Sequence, residues 1–86
     1  MQLLILGAGC SNCVKLYELT AQAARELALA HEIQKITDLK QIMALRVMLT
    51  PALVVNGSVK LCGKLPSLKE LEDILSQAAA AERPGN

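Results

Sequence analysis

Short apolar runs alternate with longer amphipathic segments along this chain, and the pattern predicts strands and helices in turn. Gln2–Leu6 is a short apolar run that ends at a glycine, which is typical of a buried strand. From about residue 10 to residue 30, polar side chains recur every three or four positions, which predicts a long helix with one exposed stripe. The apolar positions expected to pack on a sheet include Val14, Leu16, Leu19, Ala23 and Leu27.

The middle of the chain favours a second strand and then a short helix. Residues 32–36 form the strand pattern, although their alternation is weak. Asp38 with Gln41 three residues later matches the capping box that opens a helix, and this helix is expected to end before Pro51. The apolar side chains expected in the core from this segment are Leu39, Ile42, Met43 and Met48.

The last third of the chain carries the clearest local signals. Asn56-Gly57 separates two strand patterns, Ala52–Val55 and Ser58–Cys62, and is the dipeptide most typical of a tight hairpin. Ser67-Leu68-Lys69-Glu70 matches the S-x-x-E capping box, so the final helix is expected to begin there. The predicted order is therefore strand, helix, strand, helix, hairpin, helix.

Length and composition narrow the class of protein. A chain of 86 residues supports a single hydrophobic core, so we expect one domain over residues 1–81 and a disordered polar tail at 82–86. Nine basic and eight acidic residues nearly cancel, and Tyr17 is the only aromatic residue, which argues against nucleic-acid binding. The apolar runs are too short for a signal peptide or a membrane span, so we expect a soluble, cytoplasmic protein.

Cys10-Ser11-Asn12-Cys13 lies where the first predicted strand gives way to the first predicted helix. Two residues between cysteines in a first helical turn bring the sulfurs close enough to form a disulfide. The unpaired N–H groups and the dipole at a helix start favour a thiolate, which is the nucleophile in thiol–disulfide exchange. We therefore predict that Cys10 attacks a substrate disulfide and that Cys13, deeper in the turn, resolves the mixed disulfide.

Two other interpretations of this motif stay open. Buried cysteines can serve simply as small hydrophobic residues. A Cys-x-x-Cys between the first strand and the first helix also holds soft ions such as Cu(I) in small ferredoxin-like metal chaperones. Those chaperones end on a strand, whereas here the hairpin comes late and a capped helix closes the pattern. The order of elements favours thiol chemistry, and a soft-metal or metalloid-binding module is the alternative.

Taken together, these motifs resemble the thioredoxin and glutaredoxin folds. The resemblance covers about residues 2–79 and rests on Gly9 to Cys13, on Thr50-Pro51 opening a strand, on Asn56-Gly57 and on Gly63. The arrangement is most similar to the small thioredoxin-like redox-active disulfide proteins of bacteria and archaea. It implies an α/β protein with a minimal thioredoxin fold, βαβαββα, in which three helices flank a four-stranded mixed sheet. It also implies an oxidoreductase that acts on protein disulfides without a cofactor beyond its own cysteines.

The resemblance further implies a substrate-binding surface beside the cysteines. Pro51 is expected to be cis and to face the cysteines, and the Thr50 backbone is expected to pair with a bound substrate strand. The other residues expected at this surface are Gly9, Ser11, Asn12 and Gly63. The chain departs from its relatives at Leu4, where thioredoxins bury an aspartate, and it lacks the glutathione contacts of glutaredoxins. We therefore expect a flavoprotein disulfide reductase to be the electron donor.

Cys62 is the odd cysteine of the three. The period-2 rule places Val59 and Leu61 on one face of their strand, and Lys60 and Cys62 on the other. Cys62 is either a small apolar filler, as buried free cysteines usually are, or a third thiol that joins the exchange or binds a soft metal. We predict the first of these, with Cys62 near the edge of the active site and unpaired with Cys10.

Overall fold

The computed structural model describes residues 1–7 and 11–82 of the chain. Its elements in this part are β1 (Gln2–Leu6), α1 (Ser11–Glu26), β2 (Glu32–Ile36), α2 (Leu39–Ala44), β3 (Ala52–Val55), β4 (Ser58–Cys62) and α3 (Leu68–Glu82). The described residues thus form a four-stranded sheet with three helices. The α/β fold predicted from the sequence, with the order βαβαββα, is confirmed.

The strands lie in the order β2-β1-β3-β4. β1 runs parallel to β2, which requires a crossover through α1, and antiparallel to β3, which forms a hairpin with β4. In this register Leu6 pairs with Ala52, and Ala52 pairs with Cys62. One end of the sheet therefore contains the end of β1, the start of β3 and the end of β4.

Each face of the sheet has its own apolar core. α1 and α3 cover one face, where the fully packed side chains are Leu3, Ile5, Leu16, Ala23, Ala24, Leu53, Val55, Leu71 and Leu75. α2 and the residues after it cover the other face, where they are Leu6, Ile42, Val47, Ala52 and Val54. β1 and β3 are covered on both sides, which explains why their sequences are almost uniformly apolar.

α1 ends at Glu26, earlier than the predicted end near residue 30. The N–H of Leu29 donates to the carbonyl of Ala24, and the N–H of Ala28 donates to that of Arg25, both at 3.0 Å. These two bonds, with Ala28 at a φ of 54°, form the Schellman motif that closes a helix. Glycine usually holds this left-handed position, so an alanine there leaves no recognisable stop signal in the sequence.

α2 begins as predicted but buries less than predicted. The side chain of Asp38 caps it by accepting from the N–H of Lys40 at 2.9 Å. Ile42 is buried, as expected. The other three side chains assigned to the core are exposed: Leu39 by 65%, Met43 by 60% and Met48 by 86%. A helix of six residues turns only one narrow stripe toward the sheet, and apolar character alone does not show which stripe that is.

The predicted capping box of α3 is present. The Ser67 hydroxyl accepts from the N–H of Glu70 at 3.2 Å. The Lys64 ammonium lies 3.2 Å from the Glu70 carboxylate and is the main cause of the lowered pKa of Glu70. The backbone N–H of Ser67 lowers this pKa further by donating to the same carboxylate. α3 continues through Glu82, one residue past the predicted domain boundary, and residues 83–86 of the predicted tail lie outside the described part.

Asn56 ties three elements together from the hairpin turn. Its φ of 50° is left-handed, its Oδ1 accepts from the N–H of Gln2 at 2.8 Å, and its Nδ2 donates to Glu82 at 2.6 Å.

We expect Asn56→Ala to lower the free energy of unfolding by about 1–3 kcal/mol, because a backbone N–H loses its partner and alanine tolerates this φ poorly. Chemical denaturation measures the loss. Ser58→Ala, an exposed change on the same hairpin, is the control, and an equal loss there would contradict the role given to Asn56.

Candidate functional site

Gly7 makes room for Cys13 at the end of β1. Cys13 lies in the first turn of α1 and is only 6% exposed. A Cβ placed on Gly7 would overlap the sulfur of Cys13 and would lie 3.1 Å from the Cβ of Cys13 and 3.8 Å from the Cβ of Thr50. The Gly7 N–H donates to the carbonyl of Ile36 at 3.0 Å, which holds this glycine in place. Cys13 and Thr50, which are far apart in sequence, therefore meet across one glycine.

The sulfur of Cys13 is part of a disulfide bond. Ser11 and Asn12, the first residues of α1, are exposed beside it. Gly9 and Cys10, the other predicted site residues of this segment, lie outside the described residues. The predicted pairing and roles of the two cysteines therefore stay predictions.

Thr50 and Pro51 enter β3 beside Gly7. The peptide bond between them is cis, as the resemblance implied, and Pro51 is buried while Thr50 is exposed. The carbonyl of Pro51 accepts from the N–H of Gly63 at 2.9 Å. Gly63 has a φ of 78°, and a Cβ there would lie 3.0 Å from Leu49. This segment and the end of β4 thus form one side of the site.

Among the described residues, three large apolar side chains at this end of the molecule are exposed. They are Val14 at 44%, Met48 at 86% and Leu49 at 60%, and we call them the apolar rim. Val14 follows Cys13 directly, and Leu49 packs against Gly63. The sequence pattern placed Val14 on the buried face of α1 and Met48 in the core, and both predictions were wrong. Exposed apolar side chains grouped around a reactive centre are typical of a protein-binding surface.

A cavity of about 170 Å³ adjoins Cys13 on the α1 side of the sheet. Its described lining consists of Ile5, Gly7, Cys13, Val14, Lys35 and Thr37, of which Lys35 alone is charged. The Lys35 ammonium lies 4.8 Å from the centre of the Tyr17 ring. Sequence reasoning missed Gly7, Lys35 and Leu49 as site residues. Gly7 alone had a usable signal, as a glycine closing a buried strand just before the Cys-x-x-Cys.

The order of elements and the geometry around Cys13 agree with a comparison against known proteins. A family model for the thioredoxin domain matches residues 1–76. This chain belongs to the thioredoxin family. The thioredoxin of Methanothermobacter thermautotrophicus is 36% identical over 76 residues, which cover 88% of this chain and 99% of that protein. The thioredoxin of Methanocaldococcus jannaschii is 37% identical over 71 residues, covering 83% of this chain and 81% of that protein.

Family membership confirms the predicted resemblance to small thioredoxin-like proteins such as those of archaea. It also confirms the general class of activity, a thioredoxin-like thiol–disulfide oxidoreductase. Within the family this chain differs from thioredoxins that bury an aspartate on β1. Leu4 packs in the α2-side core, and Ile5 lines the cavity beside Cys13, so β1 brings no carboxylate to that cavity.

A β-bulge in β4 changes the faces predicted for the hairpin. Leu53 pairs with Leu61 and Val54 pairs with Val59, so Lys60 is an extra residue on β4. Val59 and Leu61 therefore lie on opposite faces, and the prediction that they share one face was wrong. Period-2 reasoning assumes a regular strand, and one inserted residue inverts every assignment beyond it.

Cys62 lies beside the start of β3 and outside the core. It pairs with Ala52 in the ladder, next to Pro51, and its thiol is free and exposed. Its lack of a disulfide agrees with the prediction, and its place near the edge of the active site stays a prediction. The prediction that it fills apolar space was wrong, because β4 is an edge strand and the α2 side of that edge is open to solvent.

Proposed function

We propose that this protein carries out reversible dithiol–disulfide exchange with protein disulfides, with Cys10 as the nucleophile and Cys13 as the resolving cysteine. The observation that carries the proposal is the position of Cys13, disulfide-bonded in the first turn of α1 and packed against Gly7 beside Thr50. Cys62 is free, so the third cysteine of the chain does not compete for the proposed pairing.

The exchange takes place in two displacements. The Cys10 thiolate attacks one sulfur of the substrate disulfide; the substrate S–S bond breaks, and the released thiolate takes a proton from water. Cys13 then loses its proton and attacks the Cys10 sulfur, which releases the second substrate thiolate. The substrate gains two electrons and two protons, and Cys10 and Cys13 are left as a disulfide. The start of α1 favours the thiolate of Cys10, because helix N-terminal N–H groups stabilise negative charge.

The apolar rim is proposed to bind the protein substrate. Val14 and Leu49 flank the region of Cys13 and Thr50, and their exposure leaves apolar surface that a substrate segment can cover. We propose that the Thr50 backbone pairs with an extended substrate segment. Gly9, Ser11, Asn12 and Gly63 are proposed to border this segment, with small or polar side chains that allow close approach.

We propose a flavoprotein disulfide reductase as the electron donor and the cytoplasm as the place of action. The basic residue and the Gly-Asp segment that bind glutathione in glutaredoxins are missing around Cys10 and Gly63. No helix in residues 1–7 and 11–82 is long and apolar enough to cross a membrane. The protein needs no cofactor of its own in this scheme, because its two cysteines carry the electrons.

A redox titration with thiol counting and mass mapping tests the proposal. We expect two thiols per chain to be lost in one reversible transition, with a Cys10–Cys13 bond formed and Cys62 still open to alkylation. Alkylation of the reduced protein near neutral pH should label Cys10 before Cys13. Cys62→Ser should titrate like the natural protein. A main disulfide that contains Cys62, or stoichiometric Cu(I) binding without any reversible disulfide, would overturn the proposal.

A further inference from the structure

The two edge strands of the sheet, β2 and β4, differ in regularity. An edge strand leaves one row of backbone N–H and C=O groups without partners in its own sheet, and this row can pair with another chain. In β4 the bulge at Lys60 interrupts the row, and a lysine on an edge hinders pairing further. β2 pairs with β1 in an unbroken register, and no other strand among the described residues pairs with it. The regular, unprotected edge is therefore that of β2.

Hydrogen bonds at its two ends show which residues of β2 face this free edge. The Glu32 N–H donates to the residue before β1 at 2.9 Å, and the Ile36 carbonyl accepts from the residue after β1 at 3.0 Å. In a parallel ladder, residues that bond the neighbouring strand alternate with residues whose backbone groups point away from it. Ile33 and Lys35 therefore direct their N–H and C=O groups to the free edge.

A second copy of β2 is complementary to this edge. If two β2 strands pair antiparallel about Gln34, all five residues overlap. The opposed pairs are Gln34 with its counterpart, Ile33 with Lys35, and Glu32 with Ile36. The two outward residues, Ile33 and Lys35, then exchange N–H···O bonds, and no two like charges lie directly opposite. A pair centred on Lys35 would place two ammonium groups opposite each other, which is destabilising.

A groove on the α2 side of this edge gives the second copy more surface to cover. The groove has a volume of about 350 Å³, and its described lining carries no charged side chain. Leu4 and Ile36 contribute apolar surface, and Gln34 borders it. Opposed residues that share no backbone hydrogen bond have Cα atoms about 4.5 Å apart, so the two Gln34 amides can bond each other. Covering this groove removes no charge from water.

We propose that β2 is a self-association edge, through which two copies of this chain pair antiparallel about Gln34 and join their sheets. The chain has a net charge of +1, so overall repulsion between copies is small. One pair of short strands forms a small interface, and we therefore expect a dimer that dissociates on dilution. The end of β2 adjoins Gly7, so antiparallel pairing places the two Gly7–Cys13 contacts at opposite ends of the joined sheet. The inference does not depend on the proposed thiol chemistry.

Sedimentation velocity over a range of protein concentrations tests this pairing, in a Cys62→Ser background that excludes dimers linked through that thiol. We expect the sedimentation coefficient to rise from the monomer value toward the dimer value with concentration. Gln34→Lys and Gln34→Glu each place two like charges opposite each other at the centre, and each should raise the dissociation constant by about tenfold or more. An equimolar mixture of the two variants should dimerise again, because the opposed charges then attract.

Ser58→Lys and Ser58→Glu are the matched controls, because Ser58 is an exposed residue on the other edge strand. Both should associate as the Cys62→Ser protein does. A protein that stays monomeric at every concentration, or a dimer that neither Gln34 variant weakens, would overturn the proposal. A dimer strengthened by Gln34→Lys and weakened by Gln34→Glu would overturn the pairing about Gln34, since that pattern places Gln34 opposite Glu32. The redox titration measures a separate property, so its outcome and this one are distinguishable.

Discussion

Cys13→Ser is expected to accumulate mixed disulfides between Cys10 and its protein substrates. Without a resolving thiol, the first displacement proceeds and the second does not, so the covalent intermediate persists. Cys10→Ser should form no such species, because Cys13 is buried and only 6% exposed to solvent. Turnover should fall by several orders of magnitude in both variants, as it does when other enzymes lose a nucleophile. Non-reducing electrophoresis with mass mapping distinguishes the two variants.

Cys62→Ser is the control for this pair, since it removes an exposed free thiol near the site. It should turn over like the natural protein and trap nothing. Mixed disulfides through Cys13 in the Cys10→Ser variant would reverse the assigned roles. Trapping through Cys62 in either variant would show that the third cysteine takes part in the exchange.

Gly7→Ala is expected to damage both stability and exchange. The new Cβ would overlap the sulfur of Cys13 and lie 3.1 Å from its Cβ, so α1 or the end of β1 must shift. Overpacking of a close-packed site costs about 1–3 kcal/mol, and we expect the free energy of unfolding to fall by that amount. The displaced sulfur should also slow exchange, because disulfide chemistry needs a specific geometry. Denaturation curves and exchange rates of the same preparation measure the two effects.

Gly57→Ala is the control that separates a loss of stability from a loss of exchange. Gly57 has a φ of 85°, and no atom lies within 4 Å of the place that a Cβ would take, so its substitution strains the backbone but crowds nothing. We expect a loss of roughly 1–2 kcal/mol with an unchanged exchange rate. If Gly7→Ala exchanges disulfides at the same rate as the unsubstituted protein, then Gly7 is not needed to position Cys13.

Local signals in the sequence predicted most of the fold. Asn56-Gly57 predicted the hairpin, and Asp38 and Ser67 predicted two helix starts, because turn and cap chemistry involves residues only a few positions apart. Apolar runs predicted the strands. Their order along the chain was predicted from these local patterns, and the resemblance to the thioredoxin fold implied the four-stranded mixed sheet.

Irregular features escaped prediction because they do not follow from the residues next to them in the sequence. α1 and α2 are both followed by left-handed residues other than glycine, Ala28 with a φ of 54° and Arg46 with a φ of 62°. Residues other than glycine adopt that conformation at an intrinsic cost, so neither alanine nor arginine is a sequence signal for it. The bulge at Lys60 likewise depends on how β4 fits its neighbour, and it reversed the faces predicted for the residues around it.

The sequence by itself was enough to predict thiol chemistry, because Cys10 and Cys13 are separated by two residues where the pattern predicts a helix start, and such cysteines need no distant contact to approach each other. The tertiary structure alone decided what surrounds Cys13. The β1–β3 pairing brings Thr50 to Gly7, and the crossover through α1 brings Lys35 over Tyr17. Such contacts join residues that are distant in the sequence, and they depend on strand register and helix rotation. Those quantities are set by how the whole core packs, so they leave no local trace in the chain.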